Sequence, residues 1–451
     1  MTSIRADIET HREAYLARLK DLIRQPSISS QGTGVAETCT KLAGLLEDAG
    51  FQVERVPTDG AAVILARMAG DAPQSVLFYN HYDVQPVDPL ELWDSPPFEP
   101  AQRDGKLYGR GVADNKGDIV ARLCAIESTL RTRGRLPVNL VWAIEGEEEI
   151  GSLHLHQFVA ARQDVLRNVA GCVWEAGGKN ARERFEIALG CKGLLYVELV
   201  ARGADRDLHS ALAAIAPSPV WRLLWALAGL KGPDGQVCVP GFLDDVRPIS
   251  PAQHAALAGW EYPEEENRTL MGLSAFLDDL TGPALKERLI FGPTCNIDGF
   301  HAGYGGPGTK TVLPNEARAK LDFRLVPDQR PEHIVECVRA HLDATGFEDV
   351  EIAWWEGEAP AAGDPDHPFV QTAARVAGQL YGHPPTLLPM MAGTGPVHLL
   401  CDQFDVPVVT AGVGYADSRA HAPNENIRLT DFFEGIEYIA ALIEALGENE
   451  P

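Results

Sequence analysis

At residues 138–152 the chain reads VNLVWAIEGEEEIGS, an apolar run followed at once by four glutamates. The apolar residues 138–144 predict a buried strand, so the carboxylates of the four glutamates should emerge together where that strand ends. Carboxylates this close repel each other unless water or a cation lies between them. The stretch therefore fits either a solvated acidic loop, which is the usual place of a charge run, or the binding site of a divalent cation.

Two other predicted strands also end in side chains that can bind a metal. Residues 75–80 form an apolar strand that leads into the sequence H-Y-D, in which His81 and Asp83 point the same way on an extended chain. Residues 171–174 form a short strand that ends in Glu175. The strand ends of an open α/β sheet meet in one crevice, so we expect these side chains to converge on the glutamates.

Two polar loops add a further acid and a further histidine. The first, YGRGVADNKG at residues 108–117, presents Asp114 in a tight turn just before a helix predicted for residues 118–130. The second, GVGYADSRAHAPNE at residues 412–425, follows a predicted strand and carries His421. A metal site requires such a convergent set of imidazole and carboxylate groups, so the sequence favours the metal-site interpretation.

The order of helices and strands predicts two structural units. Alternating helices and strands in residues 1–192 predict an α/β domain with a central mixed sheet flanked by helices. From residue 193 the predicted order is strand, helix, strand, strand, helix, strand, which is the ferredoxin-like α+β order. Its strands are predicted at residues 194–201, 310–313, 317–326 and 350–354. We therefore expect an inserted domain at residues 193–358 and the return of the first domain at residues 359–451.

The composition limits the classes of protein and partner. The chain has 451 residues, 45% of them hydrophobic, and a formal net charge of −25. This charge weighs against nucleic acid or an anionic membrane as a partner, and an anionic substrate would need local positive charge. No apolar run approaches the roughly 18 residues of a membrane span, and the N-terminus lacks a secretory signal, so we expect a cytoplasmic protein. The eight cysteines are widely scattered and predict neither disulfides nor a zinc ribbon.

The motifs, taken in chain order, resemble those of one metallopeptidase family. They are H-x-D at residues 81–83, GRGVADNKG at 109–117, EGEEEIGS at 145–152, the acid at 175 and AHAPNE at 420–425. In this order they resemble the dinuclear zinc peptidase family that includes carnosinase and other cytosolic dipeptidases, aminoacylase and glutamate carboxypeptidase. The resemblance covers nearly the whole chain, and it implies that the inserted domain acts as a lid and a dimerisation domain.

The resemblance also implies a role for each candidate ligand. Two divalent cations would share five metal ligands: His81, Asp114 and Glu175 for one, and Asp114, Glu149 and His421 for the other. The cations would be Zn²⁺, with Mn²⁺ or Co²⁺ as substitutes, since all five ligands bind through nitrogen or oxygen. Glu148 would be the general base, and Asp83 would orient His81.

Further residues match positions that contact the substrate in this family. His209 would reach the active site of a partner subunit and stabilise the tetrahedral oxyanion, which implies a homodimer. Arg324 would bind a substrate carboxylate, Thr311 would make a lesser contact, and Thr394 would replace a serine hydroxyl. Met390 stands where the dipeptidases carry an arginine, which predicts a more apolar pocket.

We therefore expect a two-metal hydrolase that cleaves the amide or peptide bond of a small carboxylate-bearing substrate, in the first place a dipeptidase. An N-acyl-amino-acid deacylase or another amidohydrolase is the alternative, because Glu175 matches the aminoacylase and carboxypeptidase branches where the carnosinase branch has Asp. A non-catalytic binding protein on the same fold is the third possibility.

Several nearby residues are expected to have no catalytic role. Glu145 should brace its loop, Glu147 should be solvated, and His154 should lie on the surface of a helix. The sequence assigns no role to three other residues: His301, Met390 and Met391.

Overall fold

A mixed six-stranded sheet lies at the centre of the computed structural model, which describes residues 2–448 apart from the side chains of residues 2, 355 and 356. Its strands are, in spatial order, Gln52–Val56, Val63–Met68, Asn139–Glu145, Ser75–His81, Val169–Trp174 and Val408–Thr410. The first two pairings are antiparallel and the other three are parallel. The predicted α/β domain with a central mixed sheet is therefore confirmed.

Helices cover both faces of this sheet. Successive residues of a strand point to opposite faces, so Phe78 belongs to one hydrophobic core while Leu77 and Tyr79 belong to the other. One face is covered by the helices Thr2–Thr10, Arg12–Ile23, Val35–Asp48, Lys116–Arg133, Pro368–Tyr381 and Leu429–Glu448. The other face is covered by the helices Leu155–Leu166 and Val397–Leu400. Burial on both faces explains why the strands are nearly continuous apolar runs in the sequence.

Glycines end two of these helices where the backbone turns left-handed. Gly134 has φ 86°, and its N–H donates to the carbonyl oxygen of Leu130. Gly50, two residues after the helix Val35–Asp48, has φ 95°. Glycine adopts this conformation without the steric cost of a Cβ atom.

The inserted segment forms a second sheet with ferredoxin-like topology. Its four antiparallel strands are, in spatial order, Asn296–Ala302, Glu316–Leu325, Gly193–Arg202 and Glu351–Glu358. The helices Pro219–Leu230 and Pro331–Ala344 share one hydrophobic core with this sheet. The chain runs strand, helix, strand, strand, helix, strand, which confirms the predicted fold class.

One strand of this sheet differs from the prediction. The second strand is Asn296–Ala302 and not residues 310–313, because Val312–Leu313 pairs with Leu208–His209 in a separate two-stranded sheet. Asn296–Ala302 has no apolar pattern because it lies at the sheet edge with most side chains exposed, and its register shifts before Gly299. The predicted position of this strand was wrong for that reason.

The remaining elements are short. Three helices precede the edge strand: Pro251–Gly259, Glu264–Leu270 and Gly282–Phe291. Two small sheets are formed by Gly178–Lys179, Phe185–Ala188, Thr386–Leu388 and Gly414–Tyr415, and by Ala101–Arg103, Lys106–Tyr108 and Asn426–Arg428. All eight cysteines are free, and Cys238 alone among them is exposed. No helix between residues 2 and 448 combines the length and the apolar character that crossing a bilayer requires.

Candidate metal centre

Three neighbouring strands bring carboxylate and imidazole groups to one edge of the six-stranded sheet. His81 ends one strand, Glu145 ends the next, and Glu175 directly follows the third. These strands are parallel to one another, so their ends lie at the same edge. The convergence predicted from the sequence is present.

Arg122 holds this edge together from inside the domain. It is fully buried, and its guanidinium donates to the carbonyl oxygens of Tyr79 and Trp174 at 2.7 and 2.6 Å. These two oxygens lie immediately before the segments that carry His81 and Glu175. Arg122 therefore fixes the spacing of two candidate ligands while leaving their side chains free to face the centre.

Glu425 joins the loop of Asp114 to the loop of His421. Its buried carboxylate accepts hydrogen bonds from the backbone N–H groups of Ala113 and Asp114 at 2.8 and 3.0 Å, and it forms an ion pair with Arg110 at 2.8 Å. Burial raises the pKa of Glu425 to about 7. His421 itself has φ 62°, a left-handed conformation that costs a residue with a side chain roughly 1–2 kcal/mol. The anchored carboxylate four residues later helps to hold that conformation.

Two of the four glutamates lie beside the centre without facing it. Glu145 is buried and accepts hydrogen bonds from the hydroxyls of Tyr79 and Ser152 at 2.6 and 2.9 Å, so its predicted bracing role is confirmed. The prediction that Glu147 is solvated was wrong, because it is only 9% exposed and its carboxylate lies 2.9 Å from His154 Nδ1. His154 directly precedes the helix Leu155–Leu166 and contacts Glu147, so it does not lie on the surface of that helix as predicted.

Glu148 and Glu149 are placed by hydrogen bonds to their backbone and side chains. The buried carboxylate of Asp83 accepts from the N–H groups of Glu148 and Glu149 at 3.2 and 3.0 Å. Its Oδ1 also lies 3.3 Å from His81 Nδ1. The carboxylate of Glu149 accepts from the backbone and side-chain N–H groups of Gln85 at 3.1 and 2.8 Å. Asp83 thus fixes both the imidazole and the turn that follows the strand.

Four of the five predicted metal ligands are linked by close contacts. His81, Asp114 and Glu149 each offer an atom within 4.8 Å of the others. Asp114 Oδ1 is 2.9 Å from His81 Nε2, and its Oδ2 is 3.0 Å from His421 Nε2. His421 Nε2 is also 3.0 Å from Glu149 Oε2. Asp114 therefore stands between two histidines with one oxygen towards each, as a carboxylate that bridges two cations must.

The fifth predicted ligand and the predicted base border this group. Glu175 Oε2 accepts from Asn115 Nδ2 at 3.3 Å, and Asn115 directly follows Asp114 in the chain. Glu148 Oε2 lies 4.0 Å from His81 Nε2. The structure thus brings together all six side chains that the sequence predicts as ligands or base.

The ionisation of these groups shows that the cluster attracts positive charge. Burial, opposed by His81 and reinforced by Asp114 and Glu149, raises the pKa of Glu148 to about 8. Hydrogen bonds to Asp114 and Glu149 raise the pKa of His421 to about 10. Several carboxylates in one buried site are stable only with protons or cations among them. The imidazole and carboxylate donors fit divalent cations such as Zn²⁺ or Mn²⁺.

Arg324 and Thr394, two predicted substrate contacts, meet in the structure. Arg324 Nη1 donates to Thr394 Oγ1 at 2.7 Å, which links the inserted sheet to the first domain. A cavity of about 200 Å³ has Thr394 on one wall and Glu148, Glu149 and His421 on another. A substrate carboxylate near Thr394 would therefore lie in the same cavity that the metal ligands Glu149 and His421 line.

Lys192 is a further cation at this junction that the sequence analysis missed. It is only 4% exposed, its backbone N–H donates to Gly393 O at 2.9 Å, and its ammonium donates to Gly292 O at 2.6 Å. Two residues after Gly292, the N–H of Thr294 donates to Arg324 O at 3.0 Å. Lys192 therefore connects the two segments that position Arg324 and Thr394.

His209 and Thr311 lie apart from the metal ligands of their own chain. His209 is exposed, and its Nδ1 accepts from the N–H of Ala211 at 3.1 Å. Thr311 is also exposed, and its carbonyl oxygen accepts from the N–H of Ser210 at 3.1 Å. Between residues 2 and 448, no hydrogen bond or ion pair joins either side chain to a predicted metal ligand.

Two of the residues that position the site carry a signal in the sequence. Arg122 interrupts an apolar helical segment, D-I-V-A-R-L-C-A-I, and a charge in such a segment signals a buried partner. Lys192 likewise interrupts an apolar and glycine-rich run, I-A-L-G-C-K-G-L-L-Y, whereas Gln85 and Glu425 stand in polar loops, where nothing distinguishes them from solvated residues. Met390 is fully buried in an apolar cluster, whereas His301 is exposed on the edge strand.

Comparison with known proteins agrees with this geometry. The Cys-Gly metallodipeptidase of Schizosaccharomyces pombe is 26% identical over 98% of this chain and 98% of its own length. The Beta-Ala-His dipeptidase of Homo sapiens is 28% identical over 96% of this chain and 90% of its own length. Among solved structures, an M20 family metallo-carboxypeptidase from Sulfolobus solfataricus superposes with a TM-score of 0.92 at 36% identity, covering 96% of this chain and 99% of that one.

The family itself is identified by its sequence profile. The profile of peptidase family M20/M25/M40 matches residues 77–445, which include every predicted metal ligand. The resemblance inferred from the ordered motifs is therefore confirmed. The chain belongs to peptidase family M20/M25/M40 and is a metal-dependent hydrolase.

Proposed function

We propose that this metallopeptidase is a two-metal dipeptidase that acts as a cytoplasmic homodimer. The observation that carries the proposal is the contact of Asp114 with both His81 and His421 at 2.9 and 3.0 Å. The carboxylate of Glu149 also contacts the imidazole of His421. Similarity to a Cys-Gly and a Beta-Ala-His dipeptidase over nearly the whole chain supports a dipeptide substrate. The domain limits that we propose are 1–192 with 359–451, and 193–358.

The ligands divide between two sites in this proposal. His81, Asp114 and Glu175 would hold one cation, and Asp114, Glu149 and His421 the other. Zn²⁺ is the proposed metal, with Mn²⁺ or Co²⁺ as substitutes, because the donors are nitrogen and oxygen atoms. Two such cations, when bound, polarise the scissile carbonyl and lower the pKa of a water molecule between them.

The protein side chains handle the proton and the substrate. Glu148 accepts the proton of the attacking water and passes it to the leaving amine, since it borders the ligands but is not needed as one. Asp83 keeps His81 in position through the contact at Nδ1. Arg324 binds the substrate carboxylate, and Thr394 assists it. Local positive charge there offsets the net charge of −25 for an anionic substrate.

The exposed His209 and an apolar surface support the homodimer. Trp221 and Trp225 stack at 5.9 Å on the helix Pro219–Leu230 and are 59% and 58% exposed. The adjacent sheet edge is also open and carries Phe300, 42% exposed. Such a surface is suited to a second copy of the chain. His209 of the partner subunit would then reach this site and stabilise the oxyanion, with Thr311 beside it.

Replacement of the adjacent glutamates tests the assignment of base and ligand. Glu148→Gln should lower kcat by roughly 10²–10⁴-fold while the protein keeps its metal, because only proton transfer is lost. Glu149→Ala should lose metal at one site. Metal content by atomic emission and dipeptide turnover would be measured together. Glu147→Gln is the matched control, since this glutamate pairs with His154. Normal turnover of Glu148→Gln would contradict the proposal.

An N-acyl-amino-acid deacylase is the second candidate function. Met390, where dipeptidases of the family carry an arginine, is fully buried beside Trp260 in an apolar cluster. The 36% identity to a metallo-carboxypeptidase also points away from a strict requirement for a free amino group. Comparing hydrolysis of free dipeptides with that of N-acylated amino acids, at saturating metal, separates the two functions.

A further inference from the structure

A second and larger cavity borders the other side of the candidate metal centre. It has a volume of about 480 Å³, and Asp114 and Glu175 form part of its wall. Protein sites that enclose whole small ligands have volumes of about 300–1,000 Å³. This cavity is therefore larger than the free amino group and one small side chain of a dipeptide would fill.

Two residues that are adjacent in the chain line the two cavities, one residue in each. Ala420 lines the larger cavity, whereas the next residue, His421, lines the smaller one that reaches Thr394. In the proposed function, a substrate whose carboxylate lies near Arg324 and Thr394 would extend its acyl side past the metal ligands towards the larger cavity.

Most of the accessible wall of the larger cavity is apolar, and three aromatic rings form part of it. Trp260 and Tyr262 come from the irregular segment before the edge strand, with ring centroids 4.9 Å apart, and Tyr415 lies on the same wall. Trp260 is 8% exposed and packs in the same cluster as the fully buried Met390. Met390 therefore belongs to the apolar cluster that contains Trp260 and does not itself line the cavity.

Apart from the candidate metal ligands Asp114 and Glu175, the charged side chains on this wall lie beside partners of their own. Lys179 pairs with Asp431 at 2.9 Å, and Arg182 lies 3.5 Å from Glu261. Glu186 accepts a hydrogen bond from Trp260 Nε1 at 3.3 Å. A charged group entering the cavity would lose water without gaining a free partner, whereas an apolar group gains by burial.

We propose that this cavity binds the acyl side of the substrate and selects uncharged, aromatic or other apolar groups that extend beyond a single residue. The inference rests on the proposed function, since it places the scissile bond at the metal ligands and the substrate carboxylate at Arg324. Its consequence is that blocked dipeptides and short peptides with an apolar residue before the scissile bond are better substrates than small free dipeptides.

A series of substrates with the same C-terminal residue tests this selection. We would measure kcat/KM of the metal-loaded full-length enzyme for Gly-Leu, Asp-Leu, Phe-Leu and benzoyl-Gly-Leu. The last two should exceed Gly-Leu by roughly ten- to a hundredfold, the gain expected from burying one large apolar group, and Asp-Leu should be the poorest.

Variants of the wall show whether the cavity causes the selection. Ala181→Trp fills the cavity from an exposed position and should lower the ratio of kcat/KM for benzoyl-Gly-Leu over Gly-Leu by roughly tenfold. Trp260→Ala should lower it too, but this tryptophan is buried, so the exposed position gives the safer test. Leu270→Ala is the control, because Leu270 is 85% exposed in the same segment and outside the cavity.

The outcomes separate this inference from the proposed function. Equal kcat/KM for all four substrates, with no change of ratio in Ala181→Trp, would overturn the cavity assignment while leaving the dipeptidase proposal intact. Hydrolysis of benzoyl-Gly-Leu alone, lost on filling the cavity, would uphold the cavity assignment and reject the dipeptidase.

Discussion

Replacing Lys192 by methionine should stabilise the protein at neutral pH. The side chain is only 4% exposed and its ammonium donates to one carbonyl oxygen, that of Gly292. Burial, followed by the positive charge of Arg324, lowers the pKa of Lys192 from 10.5 to about 8. At about 1.4 kcal/mol per pH unit, folding therefore disfavours the charged lysine by about 3 kcal/mol. Methionine has a similar length and no charge to desolvate.

The net effect is smaller because one hydrogen bond is lost. Leaving the carbonyl oxygen of Gly292 unpaired costs about 1 kcal/mol, so the variant should gain about 2 kcal/mol at pH 7. The sign then depends on pH. The folded-state pKa of Lys192 lies below the unfolded value, so the cost of the buried charge is complete below pH 8 and disappears as the pH rises to 10.5. Above that range the wild-type protein should be the more stable by about 1 kcal/mol.

Urea unfolding of both proteins at pH 7, 8, 9 and 10 measures this difference directly. Lys192→Arg is the control, because a guanidinium stays charged across the range and should keep the cost without the pH dependence. KM for a dipeptide should also rise in Lys192→Met, since the variant removes positive charge beside Arg324. A destabilised methionine variant at pH 7, or a difference in unfolding free energy that is constant from pH 7 to 10, would refute the reasoning.

Three further substitutions probe the rest of the structure. Arg110→Met leaves the buried carboxylate of Glu425 with backbone N–H donors but without its ion-pair partner, and should lower the free energy of unfolding by about 3–5 kcal/mol, measured by urea titration. If the chain forms the proposed homodimer, Trp221→Glu should convert it to a monomer in sedimentation velocity runs and reduce turnover, because His209 of the partner subunit would be withdrawn; a dimer of unchanged affinity would count against the proposed surface. Arg324→Lys should raise KM by roughly tenfold with a smaller change in kcat, measured by steady-state kinetics, because a point charge replaces a bidentate fork.

The fold class could be predicted because the hydrophobic pattern and the order of helices and strands indicate both the α/β domain and the ferredoxin-like domain. Strands buried on both faces are apolar runs, and their order with the helices fixes the layer arrangement. The edge strand Asn296–Ala302 escaped because most of its side chains face solvent, so no alternation marks it. The short strand Val312–Leu313 has the apolar residues typical of a strand, but it pairs with Leu208–His209 outside the four-stranded sheet. Local pattern identifies buried strands and fails for exposed ones.

The candidate ligands could be predicted because chemistry and topology agree on them. Each is a histidine or an acid at a strand end or in a glycine-rich loop, and parallel strands bring such ends together. Glu147 could not be placed, since its environment depends on His154 seven residues later, which pattern analysis assigned to a helix surface. Glu425 likewise acts through a segment far away in the chain. Their roles are properties of tertiary contact and leave no local mark.

The groups that hold the candidate ligands and the neighbouring Asp83 in place orient these side chains without neutralising their charge. Glu149 is fixed by the neutral amide of Gln85, and Asp83 is fixed by two backbone N–H groups. The buried cations nearby point elsewhere: Arg122 donates mainly to main-chain carbonyl oxygens, and Lys116 donates to Gln25 O at 2.6 Å. A lysine or arginine bonded directly to a ligand carboxylate would hold it equally well but would cancel the charge that attracts a metal. Neutral groups thus donate to the carboxylates of the centre, while the buried cations donate mainly to main-chain oxygens. The net negative charge of the centre therefore remains available to divalent cations.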